Sequence, residues 1–342
     1  MCFFCNSKCC FCRIYDLGYV DYDDISGGEL NMKQKNKRIN KRIIKENLAL
    51  GALTLPVVIL LGVFSYFPMF GIILAFKNYK VPKGIFGSEW ADPIWKNFEF
   101  FFKSQDAFRV TRNTLLLNAL FIVASTTCAV IFALLMYEVK KAMHVKIYQT
   151  ISILPSFLSW VAVSYIVYGF LDGEKGMINK AIRFFGGENV AWYTTPGYWP
   201  AILVIVIIWH GVGLKCIMYY AALMGIDQEL FEAAEMDGAS KLQRVIHISL
   251  PHLIPIVTIM AILDVGKIFR ADFGLFYNVT RNVGQLYPTT DVMDTYVFRA
   301  LMNDGNVSMS SAASFIQSIV CFVTLVVTNA IVKKVSPENS LF

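Results

Sequence analysis

Residues 225–251 read Gly-Ile-Asp-Gln-Glu-Leu-Phe-Glu-Ala-Ala-Glu-Met-Asp-Gly-Ala-Ser-Lys-Leu-Gln-Arg-Val-Ile-His-Ile-Ser-Leu-Pro. This is the local grammar of two short helices meeting at a sharp corner. Asp227 suits an N-cap, with Glu229 favourable in the first turn beside the helix dipole. Gly238 suits the left-handed position that closes a helix. Ser240-Lys-Leu-Gln243 then has the capping-box pattern that opens the second one. Pro251 marks where a longer apolar segment starts, and Pro255 is placed to kink its beginning. The first helix is only about ten residues, too short to be stable alone in water. Leu230, Phe231, Ala233 and Ala234 give it an apolar-to-small surface, rimmed by Glu229, Glu232, Glu235 and Asp237. Such a helix suits a groove in a partner protein. It equally suits an ordinary surface connection, and its composition alone does not choose.

On either side of this corner the chain is apolar. Of 342 residues, 56% are hydrophobic and only 16% charged, against about a quarter charged in a soluble domain. Lipid is therefore the solvent for most of the chain. Crossing a hydrocarbon core of roughly 30 Å takes about 20 apolar residues. Six stretches qualify, at 50–75, 115–137, 147–171, 199–223, 253–273 and 312–332, the fifth carrying the most charge. The expected fold is all-α, a polytopic membrane protein of six transmembrane helices within residues 48–335. A basic segment, 32–47, precedes it and a short tail, 336–342, follows.

Lys and Arg beside the spans set the orientation. Lys33, Lys35, Lys37, Arg38, Lys41, Arg42 and Lys45 precede the first span, Lys140, Lys141 and Lys146 join the second to the third, and Lys333 and Lys334 follow the sixth. With six spans these clusters share one side, so both termini and the 225–251 loop are expected in the cytoplasm. The outer side receives 77–112, 172–198 and 274–311. Trp90, Trp95, Trp192, Tyr193, Tyr198 and Trp199 gather there, at the level where amphipathic rings meet lipid headgroups. Within the last outer segment, Val292, Tyr296 and Ala300 recur at four-residue spacing, which predicts an amphipathic helix over 291–302 lying at the outer surface. The net charge of +6 is read as topology signal and contact with membrane lipids, not as a nucleic-acid footprint.

The cysteines divide sharply. Cys2, Cys5, Cys9, Cys10 and Cys12 crowd residues 1–31, while Cys128, Cys216 and Cys321 sit singly in apolar stretches, where a thiol is a small apolar filler. The N-terminal group offers enough thiolates for a metal. The reading favoured here is that residues 1–31 are a disordered tail or sequence upstream of a start at Met32, with no metal bound. No cleavable signal peptide is expected.

Charge inside the fifth stretch needs explanation, since an intramembrane charge costs several kcal/mol. Asp264, Lys267, Arg270 and Asp272 all fall there. At about 1.5 Å per residue Asp264 lies roughly 20 Å beyond Pro251. On a continuous helix Asp264 would pair with Lys267 at i,i+3, leaving Arg270 to find a partner elsewhere. One reading makes these charges a packing device. The other makes them the lining of a water-filled path, where Lys267 and Arg270 offer hydrogen bonds to hydroxyls and to uronate carboxylates. In the fourth stretch His210 is expected to make one satisfied hydrogen bond, and Gly211 and Gly213 to permit close helix approach.

One motif carries more than local grammar. Glu232-Ala233-Ala234, three residues, Gly238, nine residues, then Ile248-x-Leu250-Pro251 resembles the EAA loop of binding-protein-dependent ABC importer permeases. The resemblance covers most of 45–342. Leu55-Pro56 followed at Gly62 by Val-Phe-Ser-Tyr-Phe-Pro-Met-Phe-Gly-Ile-Ile-Leu-Ala-Phe-Lys-Asn-Tyr79, together with Gly274-Leu-Phe-Tyr-Asn-Val-Thr280, is similar to the carbohydrate-uptake class, and within it to permeases for oligosaccharides from complex polysaccharides. It implies a type I ABC importer permease fold that is not itself an enzyme. Glu232, Ala233, Ala234, Asp237 and Gly238 would lie at the helix that docks in the ATP-binding subunit. It further implies a second homologous permease, two ATP-binding subunits that use ATP and Mg, and an extracellular solute-binding lipoprotein, with no cofactor on this chain. Consistent with that, the sequence has no Gly-x-x-x-x-Gly-Lys-Ser/Thr loop to cradle phosphates. The rival reading is an ion-driven secondary transporter using Asp264, against which six spans and no evident inverted repeat count.

Overall fold

The computed structural model describes residues 41–99, 103–139 and 141–339. The N-terminal cysteines, the basic residues 33–38 and Lys140 lie outside them. The chain divides into two compact units, the first ending at Ser65 and the second starting at Tyr66. The first unit holds helix α1 (Lys41–Leu61), with Pro56 inside it. Among the described residues five helical stretches are long and apolar enough to cross a membrane, Leu50–Phe76 being the first, and a bent pair makes a sixth.

In the second unit a 3-10 turn, Phe67–Phe76, leads into a two-stranded hairpin, β1 (Lys77–Asn78) and β2 (Glu89–Trp90), paired antiparallel with Lys77 opposite Trp90. Helix α2 (Gln105–Tyr137) starts about ten residues before the expected apolar stretch. Ser104 caps it, accepting a hydrogen bond from the Asp106 N–H. The longer helices that follow are α3 (Ala142–Ile153), α4 (Trp160–Leu171), α5 (Met177–Phe184), α6 (Trp199–Leu223), α7 (Gln228–Met236), α8 (Leu250–Val265), α9 (Met293–Met302) and α10 (Val307–Val335). Helices α2 and α6 form the central pair. Two apolar clusters flank it. One joins Phe121, Val163, Trp199, Leu203 and Phe276, the other Ala133, Met136, Cys216, Tyr219 and Leu253.

Two expected spans differ from the structure. The third, read as continuous over 147–171, is broken: Ala142–Phe157 and Trp160–Leu171 meet at 99°. Pro155 turns the end of α3 into a 3-10 turn, Leu158 is extended, and Ser159 caps α4 by accepting from the Ala162 N–H. Backbone freed at such a break must be satisfied within the protein, and His210 Nε2 lies 3.1 Å from the Leu158 carbonyl.

The fifth, read as 253–273, starts and ends earlier. It runs Lys241–Val265, with a π turn at Val245–Ser249 that ends two residues before Pro251, which has no N–H to continue a regular ladder. The helix stops at Gly266. Three of the four predicted charges therefore lie past its end, and the helical geometry expected for them does not apply.

The helix expected over 291–302 forms as α9, with Leu301 and Met302 exposed and one face packed inward. Val292, Met293, Thr295 and Ala300 are buried where α9 packs against α2 and α10.

Candidate translocation cavity and coupling corner

The corner folds as its caps dictate. Asp227 accepts from the Glu229 N–H at 3.1 Å and opens α7. Gly238 takes φ +79°. Its N–H donates to the Glu235 carbonyl at 3.1 Å while the Ala239 N–H donates to the Ala234 carbonyl at 2.9 Å, the two bonds of a Schellman closure. Both halves of the capping box are made, Ser240 N–H to Gln243 Oε1 at 2.8 Å and Gln243 N–H to Ser240 Oγ at 3.4 Å.

One side of α7 is fastened to the bundle. Phe231 packs on the Tyr137 ring at 5.7 Å, Gln228 Nε2 donates to the Tyr137 hydroxyl at 3.2 Å, and Glu235 pairs with Arg244 at 3.1 Å. The other side is open. Glu232, Ala233, Asp237 and Gly238 are exposed, Ala234 is half-buried, and Met236 stands 88% exposed. The five residues singled out from the sequence thus form one acid-rimmed knob with an apolar tip.

The four charges singled out in the fifth stretch also come together. Asp264, Lys267, Arg270 and Asp272 all line one cavity of about 330 Å³, opposite Asn118 and Ser125 of α2 and Lys215 of α6. Asp264 does not pair with Lys267. Its Oδ2 takes Lys215 Nζ at 2.6 Å, and the same ammonium donates to Ser125 Oγ at 3.1 Å. Arg270 donates to Ser318 Oγ at 3.2 Å, and Asp272 accepts from Trp160 Nε1 at 3.0 Å. Three cations thus face two carboxylates, with one of each already paired.

The non-helical segment 266–272 would be costly without partners, because buried backbone groups need them. Asn118 Nδ2 donates to the Ile268 and Arg270 carbonyls at 2.8 and 3.1 Å. Gln317 Nε2 donates to the Phe269 carbonyl at 3.0 Å, and Asp294 Oδ2 accepts from the Ala271 N–H at 2.8 Å. Burial pushes the Asp294 carboxyl above its ordinary range, opposed by those hydrogen bonds from Ala271 and Gln317.

His210 makes the single bond expected of it and stacks on Trp160 at 4.1 Å. Gly213 permits the close approach: a Cβ there would lie 2.0 Å from the Ser152 carbonyl oxygen. A Cβ on Gly211 would meet nothing within 4 Å, so close packing does not explain that glycine.

Reading the sequence missed Lys215, Asn118 and Trp160. Lys215 had a signal, as the sole Asp, Glu, Lys or Arg in the 25-residue helix α6. Asn118 and Trp160 had none, since their roles depend on breaks that are not spelled locally.

Comparison with known proteins places these features among transport proteins. The family model for the binding-protein-dependent transport system inner membrane component matches residues 116–337. The polygalacturonan/rhamnogalacturonan transport system permease protein YteP of Bacillus subtilis (strain 168) is 32% identical over 307 residues, 90% of this chain and 94% of that protein. Protein LplB of the same organism is 33% identical over 296 residues, 86% and 92% respectively. Among solved structures, a chain of a bacterial ABC transporter involved in import of the acidic polysaccharide alginate superposes with TM-score 0.77 at 28% identity, covering 86% of this chain and 99% of its own. The same similarity holds for the alginate transporter in complex with its alginate pentasaccharide-bound periplasmic protein, where 97% of the matched chain is covered.

Proposed function

Because this chain belongs to the binding-protein-dependent transport system inner membrane components, the permeases of ABC importers, we propose that it conducts uronate-containing oligosaccharides through the cavity at the end of α8. The observation that carries this reading is the charge of that cavity. Lys215 is neutralised by Asp264, while Lys267 and Arg270 remain exposed at the lining. A guanidinium and an ammonium give charge-assisted hydrogen bonds to a carboxylate, and Asp272 and Asn118 supply polar groups for sugar hydroxyls. The similarity to permeases for polygalacturonan/rhamnogalacturonan and for alginate, all acidic polymers, supports the same substrate class.

Coupling follows from the knob. With both termini and residues 225–251 in the cytoplasm, Glu232, Ala233, Ala234, Asp237 and Gly238 seat in an ATP-binding subunit. Closure of an ATPase pair on ATP and Mg then displaces α7, and with it the ends of α6 and α8 that it joins. This is coupling through rigid elements with two arrangements. A second permease completes the path, and a solute-binding protein delivers the sugar from outside. The ion-driven reading is displaced by family membership, and the carboxylate it relied on, Asp264, is held by Lys215 at 2.6 Å.

The test is transport by the reconstituted importer, supplied with its ATPase, second permease and solute-binding protein. Lys267→Met and Arg270→Met are each expected to lower uptake of oligogalacturonate about tenfold, the equivalent of ~1.4 kcal/mol, with uptake of a neutral oligosaccharide of equal length far less affected. Normal oligogalacturonate uptake by both variants, in complexes that assemble normally, overturns the assignment.

A further inference from the structure

Helix α5 (Met177–Phe184) inverts the usual placement of an amphipathic helix. At 100° per residue, Met177, Ile178, Ala181, Phe184 and the following Phe185 share an arc of about 120°. All five are exposed, Phe184 at 86% and Phe185 at 85%. The residue that faces inward is polar, while Lys180 and Arg183 are exposed. Asn179 is fully buried, its Nδ2 donating to the Asp172, Gly173 and Val190 carbonyls and its Oδ1 accepting from the Val190 N–H and Trp192 Nε1. The helix is thus bolted down through an amide, and its apolar face points away from the protein.

We propose that α5 is an in-plane membrane anchor whose Phe184–Phe185 edge sits at the boundary between headgroups and acyl chains. Position argues for lipid as the occupant. The segment connects Leu171, where α4 ends, to Pro196, where the next membrane-length stretch begins, so both of its flanks are fixed at the end of a span. Depth argues the same way. Trp192, bonded to Asn179, packs at 5.4 Å from Tyr198, and such Trp–Tyr belts mark the headgroup level. Chemistry completes the case. Lys180 and Arg183 are exposed and lie outside the apolar arc, Arg183 donating to the Glu174 carbonyl at 3.2 Å; cations at that level suit lipid phosphates, and no acidic residue lies on the helix.

The measurement is depth. An environment-sensitive fluorescent amino acid replaces Phe185 in the full importer, embedded in nanodiscs whose lipids carry bromine high on the acyl chain. Asp304, exposed in the turn between α9 and α10, is the control site. Bromolipid quenching several-fold stronger at 185 than at 304, with aqueous iodide showing the reverse order, is the expected result. Full iodide quenching at 185 without bromolipid quenching overturns the proposal. So does a site shielded from both quenchers, or one shielded only when the solute-binding protein is added, since either makes this face a protein interface.

Discussion

The two ends of the helix that runs Lys241–Val265 are ordered by different means. At its start, every turn is fixed by neighbours in sequence: Asp227 on Glu229, Gly238 and Ala239 on Glu235 and Ala234, Ser240 on Gln243. At its finish, the segment 266–272 is held by groups from other helices, Asn118 about 150 residues away, Gln317 about 50, and Asp294. The first end is a knob folded by its own caps and fastened on one side to Tyr137 of α2, so it can be carried as a rigid body. The second is a loop whose shape depends on how α2 and α10 lie around it, and it lines the cavity. Rigid structure stands where force is proposed to enter, and dependent structure stands where the path is proposed to open.

The sharpest way to break this contrast is at the Lys215–Asp264 pair, which ties α6 to the finishing end. Removing one partner of a fully buried pair costs ~3–5 kcal/mol; here each side chain keeps about a third of its surface exposed, so Asp264→Ala is expected to cost about 2 kcal/mol. The loss should be read as a lower melting temperature of the purified importer. The double variant Lys215→Met/Asp264→Leu should regain most of it, and a double variant as unstable as the single one contradicts the pairing. Next in size is Asn118→Ala, which leaves the Ile268 and Arg270 carbonyls without their donor. About 1–2 kcal/mol is expected, together with increased hydrogen exchange at 267–272 and none at 227–240. Exchange rising equally at both ends would erase the distinction. Smallest is Ser240→Ala at the starting end, about 0.5–1 kcal/mol, with exchange rising only in 240–244 and cavity-lining residues unmoved.

The same contrast explains what could be read in advance. The corner was legible to the residue because caps and closures act over three or four positions, and a left-handed Gly238 has few alternatives. The long apolar stretches were legible as spans because composition alone decides them. The end of α8 was not. Nothing between Val265 and Phe273 forbids a helix, and the stretch contains only one glycine. Its unwinding is selected by Asn118, Gln317 and Asp294, which compete for its backbone. The break at Leu158 was half written, since Pro155 and Ser159 are visible in the sequence while the His210 that accommodates the break sits about 50 residues on. Likewise α9 and α5 both carry apolar stripes. Periodicity could not reveal that α9 packs on α2 and α10 while α5 turns its stripe outward, the latter because Asn179 makes five hydrogen bonds to four residues on its other side.

The missing side chain at Gly213 has a mechanical consequence. With the Ser152 oxygen occupying the place a methyl would fill, α3 and α6 have no clearance to roll over one another, and they must turn together like two bars welded at one point. The far bar ends at the bend beside Leu158, whose carbonyl is gripped by His210 of the near bar. A displacement of α6 is therefore expected to carry α3 with it and to be felt at the elbow in the third span, beside Leu158.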